Sequence, residues 1–419
     1  MSDNESVVEV FKQILWYYKH HFQNWVPVIC NFKSKRFAFL GGTGGPNNVS
    51  TRVILKLFII NNGNNLNILN EEYFLACCKS NEYFVEIIDS ILINNKYVCF
   101  VLREEGMNLK DFINFEENNY SKINPYYNRW IIFRIGCGLK ILHEKGLSHN
   151  DIKPGNIVIT ANGKAKICDM GSTYRVSQKS YQGTNGYFSP QVLLGKKNTE
   201  KDDMWSVGIV FLELIKKQTE IFRVETNQNV KDIGRNLLEY ILKTFYDISA
   251  HEGELNENIN YNEIINFIDD GEFNEFNYRL KPDLLKGIND EDKEIITKLL
   301  KLDPKERLTA HDLVNSDLFK KLDYIFIDSD FEYYENDFKN YLSQGPANLE
   351  EFKRRHEEIK EKFIDKTIFD SLLERKDLLH EKYKVVQFLL FSSSGFSPWI
   401  EKNCAEKQII PITIEELFG

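Results

Sequence analysis

The strongest constraint on this chain lies between Leu147 and Ser172, where it reads LSHNDIKPGNIVIT and, after a short spacer, KAKICDMGS. His149, Asn150, Asp151, Lys153 and Asn156 crowd into one short stretch, and Asp169, Met170 and Gly171 follow. Asn156 comes five positions after Asp151, and Asp169 eighteen. Singly, such residues carry little information. An Asp before a turn is usually a cap or turn former, and a Lys on a strand is usually a surface residue. An ordered series of such segments is far more restrictive.

The series continues on both sides. Downstream come GTNGYFSPQ (Gly183 to Gln191), DMWSVGIVFLEL (Asp203 to Leu214) and DPKERLTAHDLV, which contains Arg307. Upstream, TRVILKLFII sets Lys56 in a β-branched run of strand character, and FVLREEGMNLKDFI carries Glu104 and Glu105. In this order the segments resemble the eukaryotic-type protein kinase superfamily. Its patterns H-R-D-L-x-x-x-N and D-F-G read here as H-N-D-I-K-P-G-N and D-M-G. The FVLREEGMNLKDFI segment is similar to the family's hinge, loosely to that of the casein kinase 1 and VRK groups.

The resemblance covers about residues 26–320 of the 419. It implies an α+β, bilobal fold, with a small β-rich N-lobe (about 26–105) and a larger helical C-lobe (about 106–320). The periodicity agrees. VPVIC, RFAFL, TRVILKLFII, VEIIDSILI and KYVCFVL read as strands, a helix is expected around Asn70–Lys79, and helical spacing dominates from Leu109 onward. Residues 1–25 are expected to carry a helix over 6–25, and residues 321–419 a helical extension that could bind a partner.

The resemblance also assigns roles. Phosphoryl transfer needs charge neutralisation on the polyphosphate and a positioned nucleophile, with little covalent chemistry from the protein. Lys56 would contact the ATP phosphates, held by a helix carboxylate. Glu72 is the choice, and Glu71 the alternative one position away, about 100° round the helix. Glu104 and Glu105 would line the nucleotide site at the hinge. Asn156 and Asp169 offer the oxygen ligands that Mg²⁺ prefers. Asp151 would orient the acceptor hydroxyl, and Lys153 would steady the transferred phosphate. Lys153 in D-I-K-P, with Thr184 in G-T-x-x-Y, is the serine/threonine form of the pattern.

Several positions depart from the family. GGTGGPNNV reads from Gly42 as nearly the family's phosphate loop, yet Gly44 precedes Lys56 by only twelve residues. Spacing favours the glycine-free stretch Asn31–Arg36 instead. Asn150 stands where the family keeps an Arg that receives an activation-segment phosphate, so activity without that phosphorylation is expected. Met170 replaces Phe, an adaptable apolar substitute. Gln191 replaces a Glu that pairs with Arg307, reducing an ion pair to a hydrogen bond. Gly155 stands where many basic-directed kinases have Glu.

The function expected is an ATP- and Mg²⁺-dependent serine/threonine protein kinase acting on a protein substrate. A pseudokinase or ATP-binding scaffold, and a small-molecule phosphotransferase, are the alternatives. The net charge of 53 − 62 = −9 argues against a nucleic-acid-binding surface as the main role. Seven cysteines without a C-x-x-C pair argue for a reducing compartment. The polar, acidic start and the lack of a long apolar run predict a cytoplasmic protein with no membrane contact.

Overall fold

The computed structural model describes residues 23–31, 36–43, 51–60, 65–78, 81–93, 95–103, 106–119, 125–160, 163–176, 183–222, 233–250, 260–320 and, in the tail, 351, 353–354, 388–392 and 409–413. The N-terminal part is an antiparallel sheet of five strands: β1 (Gln23–Asn31), β2 (Arg36–Thr43), β3 (Thr51–Ile59), β4 (Ile87–Ile93) and β5 (Tyr97–Arg103), in the order β1-β2-β3-β5-β4. These are the five strands expected from the sequence. Helix α1 (Asn65–Cys77) follows β3 and starts earlier than expected, because Ile68 and Leu69 join its buried surface. Of the helix expected over 6–25, residues 6–22 lie outside the described residues and 23–25 belong to β1.

β3 is hydrogen-bonded on both sides, with Lys56 opposite Ala38 of β2 and Phe100 of β5. Side chains alternate across a strand. Leu55 and Leu57 are therefore fully buried on one face, while Lys56 projects from the other. Burying each such leucine contributes about 1.5–3 kcal/mol, and that burial fixes which way the lysine points.

The C-terminal part is mainly helical. β6 (Gly106–Asn108) leads into α2 (Leu109–Asn119) and α3 (Pro125–Glu144), which opens on a proline whose missing N–H costs nothing in a first turn. After β7 (Leu147–Ser148), β8 (Ile157–Thr160) and β9 (Ala165–Ile167) form a hairpin, with Ile157 opposite Ile167. β10 (Tyr174–Arg175) pairs back onto β7. Then come α4 (Pro190–Leu193), α5 (Glu200–Lys216), α6 (Ile233–Phe245), β11 (Tyr246–Ala250), α7 (Tyr261–Asp270), β12 (Phe276–Leu280), α8 (Pro282–Leu285), α9 (Asp290–Leu299), α10 (Ala310–Val314) and α11 (Asp317–Lys320).

α5 is buried from Asp202 to Leu214 and mostly apolar over Met204–Leu214, with Asp202, Asp203 and Glu213 as buried carboxylates. It starts at a capping box between Thr199 and Asp202, and α3 and α9 pack against it. The antiparallel pair β11/β12 lies within the acidic, Asn-rich stretch 222–290, where helical spacing was expected. In the tail, positions 351, 353 and 354 are helical, but Phe388–Ser392 and Ile409–Thr413 form a parallel strand pair, so the tail is not helical throughout. Both runs are short and rich in β-branched or bulky apolar residues, which favour strands.

Candidate active site

The β8–β9 hairpin explains the spacing between Asp151 and Asp169. Ile157 and Ile167 pair at its open end, and the Cys168 amide donates to the Asn156 carbonyl at 2.9 Å. Two residues eighteen apart from end to end are thereby brought to one edge. A parallel bridge between Phe84 and Ile167 ties this edge to the segment after α1.

Asp169 stands in the left-handed region, at φ 60°, where a non-glycine residue is strained and held by its surroundings. Its Oδ1 accepts from Lys56 Nζ at 3.1 Å. Lys56 Nζ also donates to Glu71 Oε1 at 2.5 Å. Glu71, not Glu72, is the helix carboxylate that meets the lysine. Both glutamates are buried, so burial does not distinguish them; helix rotation does. Gly171 makes room for this contact, since a Cβ there would lie 3.3 Å from Glu71 Oε2. Burial pushes the neighbouring Cys168 thiol up to about 12, which keeps it neutral beside Asp169.

Asp151 is the centre of a second group. Its Oδ2 accepts from Lys153 Nζ at 2.6 Å and from Asn156 Nδ2 at 2.8 Å. Its Oδ1 accepts from the Thr184 hydroxyl at 2.9 Å, and Lys153 Nζ donates to that same hydroxyl at 2.7 Å. Gly183 permits the approach of the Thr184 segment. Its φ is 133°, and a Cβ there would lie 2.5 Å from the Asn150 carbonyl oxygen.

The loop is held from below by α5. Asp203 accepts the backbone amides of His149 and Asn150, each at 2.8 Å, and the ring N–H of His143 at 2.9 Å. Three donors on one buried carboxylate offset the cost of taking it out of water. His149 donates from Nε2 to the Cys168 carbonyl and accepts the Asp151 amide at Nδ1, which joins the two groups through one neutral ring. Met170 is fully buried, as an apolar substitute should be. Sequence reading noted the segment from Asp203 to Leu214 only as one of the ordered series and did not single out Asp203 and His143 as the contacts; the D-x-W-S-x-G pattern was the available signal.

Asn156 spends its side-chain amide N–H on Asp151, so its side-chain oxygen Oδ1 is the atom it offers to a cation. With the Asp169 carboxylate this is a hard-oxygen pair of the kind Mg²⁺ accepts while keeping waters and substrate oxygens as its other ligands. Among the described residues no group of three or more His, Cys, Asp or Glu side chains forms a closed cage.

Strand register also bears on the phosphate loop. Gly42 lies within β2, opposite Gln23 of β1 and Arg52 of β3. The β1–β2 connection is residues 32–35, which contain no glycine, and Gly44 and Gly45 fall in the β2–β3 connection. Both connections lie outside the described residues, as do Glu104 and Glu105.

The family model described as Protein kinase domain matches residues 49–319, well over half of the chain. The chain belongs to the protein kinase family. β1 and β2 precede the matched span but are bonded into the same sheet as β3. Among similar proteins, a glycogen synthase kinase-3 homolog of Saccharomyces cerevisiae is 28% identical over 53% of this chain and 56% of its own length. A probable serine/threonine-protein kinase, an MRK1 homolog of Encephalitozoon cuniculi, is 29% identical over 54% of this chain and 65% of its own length. A mitosis inhibitor protein kinase of Candida albicans is 35% identical over 32% of this chain and 12% of its own length. The chain thus covers less than two thirds of the length of each of these relatives. Among the described residues no helix is long and apolar enough to cross a membrane.

Proposed function

We propose that this protein kinase family member transfers the γ-phosphate of ATP to serine or threonine hydroxyls of a protein substrate. The observation that carries the reading is the group formed by Asp151, Lys153 and the Thr184 hydroxyl, all within 2.6–2.9 Å of one another. A hydroxyl already donates to Asp151 Oδ1 there, so an acceptor hydroxyl has a defined station. Lys153 would balance the charge that develops on the transferred group. Lys56, braced by Glu71, would hold the α- and β-phosphates. Asn156 and Asp169 would hold Mg²⁺, which when bound neutralises charge across the polyphosphate.

Selection of serine or threonine rests on Lys153 and Thr184, which together fill the space next to Asp151. The Encephalitozoon cuniculi relative, named as a probable serine/threonine-protein kinase, agrees with it. The glycine-free β1–β2 connection favours a second reading, an ATP-binding scaffold with weak catalysis.

Transfer of radiolabelled γ-phosphate from MgATP to a generic protein tests the proposal, with phosphoamino-acid analysis of the product. Asp151→Asn is expected to lower the rate by about 10²–10⁴-fold, the usual worth of a positioned acid–base group, with nucleotide binding kept. Nucleotide binding without transfer by the wild-type chain would favour the scaffold. Transfer to a metabolite alone would favour a small-molecule phosphotransferase.

A further inference from the structure

The start of the segment after Asp169 is fastened by neutral side chains. Asn150, at φ 64°, donates from Nδ2 to the carbonyls of Ser148 and Ser172, each at 2.9 Å. Its Oδ1 accepts from Ser148 Oγ at 3.1 Å and from Asn198 Nδ2 at 2.9 Å. Asn198 is buried just before α5 and also donates to Ser148 Oγ at 2.8 Å. The backbone repeats the link, with Tyr174 opposite Ser148 and the Val176 amide donating to the Gly146 carbonyl at 3.0 Å.

From this tethered strand one side chain reaches across to the N-lobe. The buried Tyr174 hydroxyl donates to Asn67 Oδ1 at 2.7 Å. Asn67 lies four residues before Glu71 on α1, so the two share a helix face one turn apart. The same turn of α1 closes on Gly171, where a Cβ would sit 3.6 Å from the Asn67 carbonyl oxygen. Rotation of α1 away from the cleft would break the Tyr174 bond and the Lys56–Glu71 pair together.

We propose that Tyr174 and Asn67 are positioning residues for phosphoryl transfer: their hydroxyl–amide bond holds α1 in the rotation that presents Glu71 to Lys56. This rests on the kinase reading above. The bond does by uncharged contact what a charged tether could do, so the assembled cleft needs no added phosphate at this junction. Removing one partly buried neutral hydrogen bond shifts a two-state helix position by roughly threefold to tenfold.

The test uses the full chain with Tyr174→Phe, Asn67→Ala and the double variant. Tyr174→Phe keeps the ring and removes only the hydroxyl. Two readouts are taken: kcat/KM for MgATP, and amide hydrogen exchange across α1. Each single variant is expected to speed exchange in α1 and to lower kcat/KM by up to about tenfold, the full shift in the helix equilibrium setting the ceiling. The double variant is expected to match the singles, because one bond is being removed twice. Unchanged exchange in α1, additive effects, or a lowered Tm with kcat/KM intact would overturn the positioning role. Should the wild-type chain transfer no phosphate, the kinase reading falls, and exchange in α1 still decides whether this bond holds the helix.

Discussion

Glu71 Oε1 lies 2.5 Å from Lys56 Nζ, while Glu72, one residue further along the same helix, is turned about 100° away. Asp169 Oδ1 sits 3.1 Å from the same ammonium, so the lysine is shared between two carboxylates, one from each lobe. Glu71→Gln is therefore expected to lower kcat/KM for MgATP by about 10²-fold or more, on the scale of losing a preorganised electrostatic contact. Glu72→Gln is expected to change it by less than about threefold, with its effect appearing in Tm, since the cost is one of burial. Steady-state kinetics and thermal melts of both variants decide. Equal losses of activity would remove the assignment.

Asn150 leads to a second expectation. Its side chain is committed to Ser148, Ser172 and Asn198, all uncharged partners. It offers no guanidinium to a phosphate, which would need charge-assisted hydrogen bonds to be held firmly. Phosphatase treatment of the purified chain should therefore leave most of its phosphotransfer activity in place. A large loss, with the phosphosites lost identified by mass spectrometry, would show that a phosphate is needed after all.

Gln191 Oε1 accepts from Arg307 Nη2 at 3.0 Å, and its amide donates to the Leu302 carbonyl at 2.9 Å. Arg307 is fully buried, stacks over Trp205, and has its nearest carboxylate contact in Asp202 at 3.9 Å. Burial pulls the guanidinium down to about 10. The expected replacement of an ion pair by a hydrogen bond is what is found. Gln191→Ala should cost about 1–3 kcal/mol, because it orphans buried polar groups, read as a lowered denaturant midpoint at unchanged m-value. A change within experimental error would mean that the other Arg307 contacts suffice.

Glu213 supplies a pH test. Burial raises its carboxyl to about 7, against hydrogen bonds from the Ile221 amide and the Tyr187 hydroxyl that pull it down. The folded chain holds this proton more tightly than the unfolded chain, whose glutamate value is 4.5. The group's contribution to stability is therefore complete below pH 4.5 and is lost as pH rises through about 7. Relative to Glu213→Gln, the wild-type Tm should fall between pH 5 and pH 8. Parallel Tm curves for the two proteins would rule Glu213 out as the titrating group.

Much of the site was legible because it is local. Asp151, Lys153 and Asn156 sit in one loop, and a single hairpin carries the chain on to Asp169, so their spacing reflects short-range geometry. Lys56 was legible from its place in an apolar strand. The β1–β2 connection was legible from distance along the chain, since Gly44, only twelve residues before Lys56, leaves too little room for the intervening strands. β11 and β12 were not, because an Asn-rich acidic stretch dilutes the alternation that marks a strand.

By itself, the sequence determined the family, the succession of strands along the chain and the loop residues Asp151, Lys153, Asn156 and Asp169 with Lys56. It could not set the rotation of α1, because Ile68, Leu69, Tyr73, Phe74 and Leu75 are all buried and leave no polar face to mark which side looks outward. Only tertiary packing chose Glu71 over Glu72. The same holds for the Tyr174–Asn67 bond, whose partners lie 107 positions apart. Periodicity describes how a residue sits within its own element, whereas these contacts depend on how one element is turned against another.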